Sequence, residues 1–215
     1  MNAEFINIHT HQQVSREAEL AVMNYFPNQL SNSPSGYFSV GIHPCDVEYE
    51  KQFFVLEELL QHQHPQAIGE CGFDRNSPLP IAIQTIIFNR QAEIAETLHI
   101  PVIIHCVGRF QELIASRKIL KPTLPWIIHG FTGSWQLAKQ LIDAGFLLSF
   151  GFAILTGKGK AEESLKYIPS NTFFLETDDD ARFSIADIYV KAAEIRGVAE
   201  ATLIQQIDTL FRTIF

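Results

Sequence analysis

The sequence predicts an α/β fold, a (β/α)8 TIM-type barrel that is distorted or has helices missing around strands 1–3. Eight short, mostly continuous apolar runs alternate with helical patterns along the chain, which is typical of parallel βαβ units. The length of 215 residues is near the lower limit for this fold. Residues 12–36 leave no room for full helices after the first two strands. An open or distorted barrel is the structural alternative.

Each predicted strand is an apolar run that ends at polar, glycine or proline residues. In chain order the strands are 5–10, 19–26, 37–42, 66–71, 101–106, 125–130, 146–151 and 172–177. Helices are predicted between and after the later strands, at 46–64, 80–99, 109–118, 134–144, 159–167, 184–196 and 199–213. Asp46 is the predicted cap of the first helix, and Pro80 suits the first turn of the second. Gly145 is typical of a helix end.

Composition is that of an ordinary globular protein, with 47% hydrophobic and 19% charged residues, and we expect one domain over residues 1–215. The sequence has no apolar run of membrane-spanning length and no leader pattern, so we expect a cytoplasmic protein without a membrane partner. The net charge of −8 argues against a broad electrostatic surface for nucleic acid. A nucleic-acid substrate stays open, because metal ions in a site can meet the phosphate.

The three cysteines are Cys45, Cys71 and Cys106, and they fit no CxxC pattern. Their positions near predicted strand ends favour small, reduced core residues over a thiolate ligand or nucleophile.

Polar side chains that can bind metals lie at the C-terminal ends of the predicted strands. In a parallel barrel these ends meet on one face, where catalytic residues gather. The residues are His9, His11, Glu70, His105, His129, Glu176 and Asp178. Imidazoles and carboxylates are ligands of divalent ions. Each alone has an ordinary structural explanation, but their shared position at the ends of five strands favours a metal site.

Spacing and burial support this interpretation for particular residues. His9 and His11 are two apart, so in a strand they point to the same face. Glu70 follows an apolar run, where burial of its charge is costly unless a cation or metal is near. Glu176, Asp178, Asp179 and Asp180 form a run of acids that would repel each other without a counter-ion. For Asp179 and Asp180 a solvated acidic loop is the favoured interpretation.

Five motifs follow one another along the chain, FINIHTH, GIHP, AIGECGFDR, HGFTGS and FFLETDDD. These motifs, in this order, resemble the TatD family of metal-dependent deoxyribonucleases in the amidohydrolase superfamily, over essentially the whole chain. Two further segments are similar to the family. One is the pattern that runs from Gln84 through Phe88 and Gln91 to His105, and the other is the closing residues 186–215.

The resemblance implies two divalent ions (Mg, Mn or Zn) and hydrolysis of DNA phosphodiester bonds by a water that two metals activate. His9, His11 and Asp178 would bind the first ion, Glu70 would bridge the two, and His105 and His129 would bind the second. Glu70 and Asp178 would be the catalytic residues. In addition to binding metal, Asp178 could accept a proton from the water. DNA is the implied partner, and we expect a monomer with no obligate protein partner.

Six further residues are candidates for contacting substrate or supporting the ligands. They are Asn7, His43, Asp74, Arg75, Arg109 and Glu176. For His43 a structural hydrogen bond is an equal alternative, and for Arg75 a surface ion pair is the simpler one. The chain departs from the family pattern at Asn7, at Val107 and in the short loop after ETDDD, and these departures bear on the preference for DNA.

Two other functions remain open at this point. One keeps the metals but hydrolyses a small ester, amide or lactone, because relatives in the superfamily do so on the same barrel. The other is a family member that binds metal without catalysis, against which the intact ligand set argues.

Overall fold

The computed structural model describes residues 4–12, 19–30, 34–157 and 159–215. The strands are β1 (Phe5–Thr10), β2 (Glu19–Tyr25), β3 (Phe38–Val40), β4 (Ala67–Asp74), β5 (Val102–Val107), β6 (Trp126–Ile128), β7 (Phe146–Phe150) and β8 (Phe173–Leu175). The α-helices are α1 (Tyr49–Leu59), α2 (Ile81–Leu98), α3 (Phe110–Leu120), α4 (Trp135–Asp143), α5 (Lys160–Tyr167), α6 (Ile185–Arg196) and α7 (Glu200–Ile214).

The eight strands form one sheet whose order follows the chain from β1 to β8. The pairs β1–β2, β3–β4, β4–β5 and β7–β8 are parallel, and an α-helix follows each strand from β3 onwards. This arrangement is that of a (β/α)8 barrel and confirms the predicted fold class.

The first connections are thin, as predicted, within the part of the chain that the structure describes. There, only a 3-10 helix, Pro27–Gln29, precedes α1. The connection from β1 to β2 includes residues 13–18, which lie outside the described residues.

Several predicted boundaries are corrected. Strands β3, β6 and β8 have three residues each, where six were predicted. The first helix does not begin at Asp46, because Glu48 is the residue that precedes its first turn. Asp46 instead accepts a hydrogen bond from the Glu48 amide at 2.8 Å, which closes a turn before the helix. A 3-10 helix at Phe152–Thr156 was not predicted.

The chain divides into two compact units, one formed by residues 1–23 with 128–215 and the other by residues 24–127. The expectation of a single domain stays a prediction. Among the described helices, none combines the length and the apolar character needed to cross a bilayer.

In the first unit, backbone hydrogen bonds connect β1 with the segment that follows β8. The Asp178 amide donates to the His9 carbonyl and the His11 amide donates to the Asp178 carbonyl, both at 3.1 Å. Helices α6 and α7 pack against β1. From α6 the buried Tyr189 hydroxyl exchanges hydrogen bonds of 3.1 Å with the backbone of Ile6. Strand β1 therefore lies beside the segment after β8, which is the pairing that closes a barrel.

In the second unit two glutamines of α2 hold the ends of β3 and β4. The Gln91 side chain accepts from the Ile42 amide at 2.6 Å and donates to the Ile42 carbonyl at 3.1 Å. The Gln84 side chain does the same for Asp74, at 2.8 and 3.1 Å. Seven residues apart, the two side chains share one helix face. They satisfy backbone groups that the short sheet leaves unpaired.

Candidate metal centre

The first unit brings together five side chains that can bind a metal, which we call the His9 cluster. Its members are His9, His11, His129, Glu176 and Asp178. The Oδ1 atom of Asp178 lies 3.4 Å from His9 Nε2 and 3.7 Å from His11 Nε2. The ring centroids of His9 and His129 are 4.1 Å apart. His129 Nδ1 lies 3.5 Å from Glu176 Oε1. The five side chains therefore form one compact group of imidazoles and carboxylates.

Backbone pairing between β1 and the segment after β8 places Asp178 beside His9 and His11. Asp178 has φ = 52°, a left-handed conformation that few non-glycine residues adopt and that aspartate tolerates better than most. Asn7 supports the same segment: its Nδ2 donates to Thr177 Oγ1 at 2.9 Å, and the Thr177 amide donates back to Asn7 Oδ1 at 3.0 Å. Asn7 thus ties β1 to the segment that carries Asp178.

Glu176 is the carboxylate of this cluster whose burial most needs a cation. Its side chain is 1% exposed. Oε1 accepts a hydrogen bond of 2.7 Å from the Gly130 amide. Oε2 is buried and has no hydrogen-bond partner among the described residues. Because burial of a carboxylate without full compensation is costly, the arrangement fits a bound cation, which makes Glu176 a further candidate ligand.

The second unit holds another group, which we call the Glu70 cluster. Its members are His43, Glu70, Asp74 and His105. Glu70 Oε1 lies 2.8 Å from His105 Nδ1 and 3.7 Å from His43 Nε2. His105 Nε2 lies 3.0 Å from Asp74 Oδ2. Ligand atoms of His43, Glu70 and His105 lie within 4.8 Å of one another, which is close enough for one ion to touch several of them.

Glycines on either side of Glu70 allow its strand to approach β5 closely. A Cβ atom on Gly69 would lie 2.4 Å from the Ile103 carbonyl oxygen, and one on Gly72 would lie 2.0 Å from that of His105. The register between β4 and β5 shifts between Ile68 and Cys71, so Glu70 lies in a bulge. Bulges of this kind redirect single side chains beside functional sites.

His105 has a carboxylate at each ring nitrogen. Burial raises the pKa of Asp74, but the hydrogen bond from the Asn76 amide and the nearby His105 lower it more, so the net pKa lies below its usual value. Asp74 therefore stays ionised at neutral pH and accepts the Nε2 proton of His105. With the proton on Nε2, Nδ1 beside Glu70 would be free to bind a metal ion.

His43 is oriented differently, by the backbone. The Cys45 amide donates to His43 Nδ1 at 3.2 Å, so in the neutral ring the proton lies on Nε2. Nε2 then faces the cluster as a hydrogen-bond donor. Such a nitrogen suits a phosphate or carboxylate oxygen better than a metal ion.

The two predicted arginines lie outside these contacts. Arg109 precedes α3 and pairs with Glu112 at 3.2 Å. Arg75 is exposed, and its side chain packs beside Gly108. Burial raises the pKa of the Cys106 thiol to about 12, and burial also raises the pKa of Cys71. These thiols are therefore protonated at neutral pH, which supports the interpretation of structural cysteines.

Every predicted ligand thus lies in one of the two clusters, and two further features were missed. Asp74 orients His105, and the Cys45 amide sets the proton position of His43. The spacing from Glu70 to Asp74 in AIGECGFD carries a signal for the first, because residues an even number apart on a strand share a face. A backbone amide leaves no signal in the sequence.

The chain was compared with known proteins. A family model described as "TatD related DNase" matches residues 14–215. An uncharacterized metal-dependent hydrolase, YabD from Bacillus subtilis, is 32% identical over 150 residues, which is 66% of this chain and 58% of that protein. A protein of Erwinia billingiae named 3'-5' ssDNA/RNA exonuclease TatD is 32% identical over 146 residues, 65% of this chain and 56% of that protein.

A solved structure supports the fold. The crystal structure of YJJV, a TatD homologue from Escherichia coli K12, matches 100% of this chain and 99% of its own with a TM-score of 0.84 at 21% identity. At this identity the likeness concerns the fold. The matched segment spans somewhat under three fifths of each of the two curated relatives, 58% and 56%.

Proposed function

Because the chain belongs to the family of TatD-related DNases, we propose that it is a divalent-metal-dependent hydrolase that cleaves phosphodiester bonds in DNA. The observation that carries the proposal is the presence, in each compact unit, of a cluster of imidazoles and carboxylates at strand ends. The name of the Erwinia relative, an exonuclease of single-stranded DNA and RNA, supports nucleic acid as the substrate class.

We assign the ligands by cluster. His9, His11 and Asp178 would bind one ion in the first unit, and Glu70 with His105 would bind a second ion in the other unit. The family resemblance implies that His129 would also serve as a metal ligand. Mg²⁺ or Mn²⁺ suits the carboxylates, whereas several imidazoles also suit Zn²⁺.

Divalent ions bound by these residues would supply Lewis acidity toward water and toward the phosphate oxygens. The side chains do the rest. Asp178 is 40% exposed, so its carboxylate is accessible to accept a proton from the attacking water. His43 presents Nε2–H to a non-bridging phosphate oxygen. Asp74 holds the His105 ring in the tautomer that leaves Nδ1 available.

A single-stranded DNA oligonucleotide tests the proposal. Purified protein with Mg²⁺ or Mn²⁺ should shorten it, and Glu70→Gln should lower the rate at least about 100-fold, because an amide is a far weaker ligand than a carboxylate. Glu57→Gln is the matched control, since Glu57 is 51% exposed and pairs with Arg90; it should retain the wild-type rate. If the protein hydrolyses small esters but leaves the DNA oligonucleotide uncleaved, the assignment of DNA as the substrate is overturned. Equal rates in Glu70→Gln and wild type would overturn the site.

A further inference from the structure

A cavity of about 350 Å³ opens in the first unit beside the His9 cluster. Its lining includes Glu176 and Asp178, which we call the first side, and Phe152, Ala153 and Arg182, which we call the second side. The volume is in the range of sites for small molecules and nucleotide-sized groups. The metal-binding role assigned to the cluster uses only the first side, so the second side has no function yet.

The second side is built from a guanidinium stacked on aromatic rings. The Cζ atom of Arg182 lies 4.2 Å from the centroid of the Phe152 ring. The Phe183 ring stacks on Phe152 at 5.4 Å with an interplanar angle of 28°. An arginine backed by an aromatic ring offers a flat surface, because the guanidinium is planar and delocalised.

Asp180 fixes the plane of this guanidinium. Arg182 Nε donates to Asp180 Oδ1 at 2.9 Å, and Nη2 donates to Oδ2 at 2.6 Å. This is a two-point ion pair whose geometry is rigid. The Arg182 side chain is nevertheless 66% exposed, so much of the guanidinium remains accessible to a ligand in the cavity.

Charge decides which ligand this surface suits. The lining carries Glu176, Asp178, Asp179 and Asp180 against the single cation of Arg182, and that cation is already neutralised by Asp180. A phosphate gains little at this side of the cavity and belongs beside the metal ligands. The flat side instead suits an uncharged, planar group, and a nucleobase is such a group.

We propose that Arg182, backed by Phe152, is a stacking platform for the nucleobase next to the phosphate that binds at the metal site of the His9 cluster. The inference rests on the proposed function in taking a nucleotide as the ligand. Arg182 lies in the loop after ETDDD, where the chain departs from the family pattern. Stacking needs an unpaired base, so the platform favours single-stranded over duplex substrate, and it reads no particular sequence.

Equilibrium binding of dAMP and of deoxyribose 5-phosphate, measured by calorimetry in Mg²⁺, tests the platform. The two ligands share the phosphate and differ in the base. Wild-type protein should bind dAMP about tenfold more tightly, as expected for one stacked base. Arg182→Ala should remove this preference and leave the affinity for deoxyribose 5-phosphate unchanged. Arg182→Lys keeps the charge but not the plane, and should behave like Arg182→Ala.

Arg90→Ala is the matched control, because Arg90 stacks on Phe53 at 4.1 Å and pairs with Glu57 in the other unit. It should keep the full preference for dAMP. The proposal is overturned if Arg182→Ala or Arg182→Lys retains that preference, or if Arg182→Ala weakens both ligands equally. It is also overturned if wild type shows no preference. Binding needs no turnover, so loss of base preference in a protein that cleaves no DNA would support the platform while overturning the proposed hydrolysis.

Discussion

The ring of His105 shows how neighbouring side chains orient one predicted metal ligand. Glu70 lies 2.8 Å from Nδ1 and Asp74 lies 3.0 Å from Nε2. A carboxylate behind a histidine fixes its tautomer and raises its basicity as a ligand. Asp74 itself is held by the Asn76 amide, which donates to Oδ1 at 2.7 Å.

Asp74→Asn should therefore weaken binding of Mn²⁺ about 10- to 100-fold. The amide can present its NH₂ group to Nε2, which favours the tautomer with the proton on Nδ1. Titration calorimetry with metal-free protein measures the change. Asp46→Asn is the control, because the Asp46 carboxylate accepts from a backbone amide two residues on in the same way. The contact of Asp46 with His43 is made by its backbone amide, which donates to the His43 carbonyl at 3.0 Å and is kept in the variant. Unchanged Mn²⁺ affinity in Asp74→Asn would refute the orienting role.

At this scale the sequence predicted which side chains lie together better than it predicted the groups that support them. The period of two in β1 and the polar strand ends predicted that His9, His11 and Asp178 lie close to one another, as they do. Asp74 was predicted only as a candidate for contacting substrate or supporting the ligands, and the predicted strand ended at residue 71. Strand β4 continues to Asp74, paired with Val107 of β5, and so carries Asp74 to His105. Which carboxylate oxygen faces which nitrogen depends on distances that no spacing contains.

Helix α2 is the element that links core packing to the site. Gln91 is fully buried and satisfies both backbone groups of Ile42, at the end of the segment that leads to His43. Gln84 does the same for Asp74. The two glutamines therefore fix the chain just before His43 and at Asp74, both members of the Glu70 cluster.

Gln91→Ala should lower the free energy of unfolding by about 2–4 kcal/mol, since it leaves a buried N–H and C=O of Ile42 unpaired. Urea denaturation measures this loss. Gln205→Ala, on the exposed face of α7, should change stability by less than about 0.5 kcal/mol. A loss for Gln91→Ala as small as that of the control would show that water satisfies Ile42.

Strands and helices were predictable where a single sequence pattern dominates a segment. Apolar runs located all eight strands, and the order of strands and helices gave the barrel. Ends were less predictable, because tertiary hydrogen bonds decide them: the Asp46 carboxylate closes a turn instead of starting α1. The 3-10 helix Phe152–Thr156, which positions Phe152, follows an apolar stretch whose sequence does not separate a strand end from a short helix.

For the whole molecule the main question is cooperativity. The boundaries between the two units fall inside β2 and β6, since each strand has residues in both units. We therefore expect scanning calorimetry to show a single transition whose calorimetric and van't Hoff enthalpies agree. Two separate transitions would show that residues 24–127 unfold independently and would contradict the single-domain prediction. The expectation of a monomer is checked by light scattering on the same sample.

The central claim is that divalent ions bound at the two clusters make the protein a hydrolase of DNA. The most direct test is to titrate metal-free protein with Mn²⁺ while following both bound metal and the shortening of a single-stranded oligonucleotide. We predict that the rate rises with occupancy, saturates at two ions per chain and disappears when EDTA removes the metal. Equal cleavage by metal-free protein, or full occupancy without cleavage, would contradict the claim.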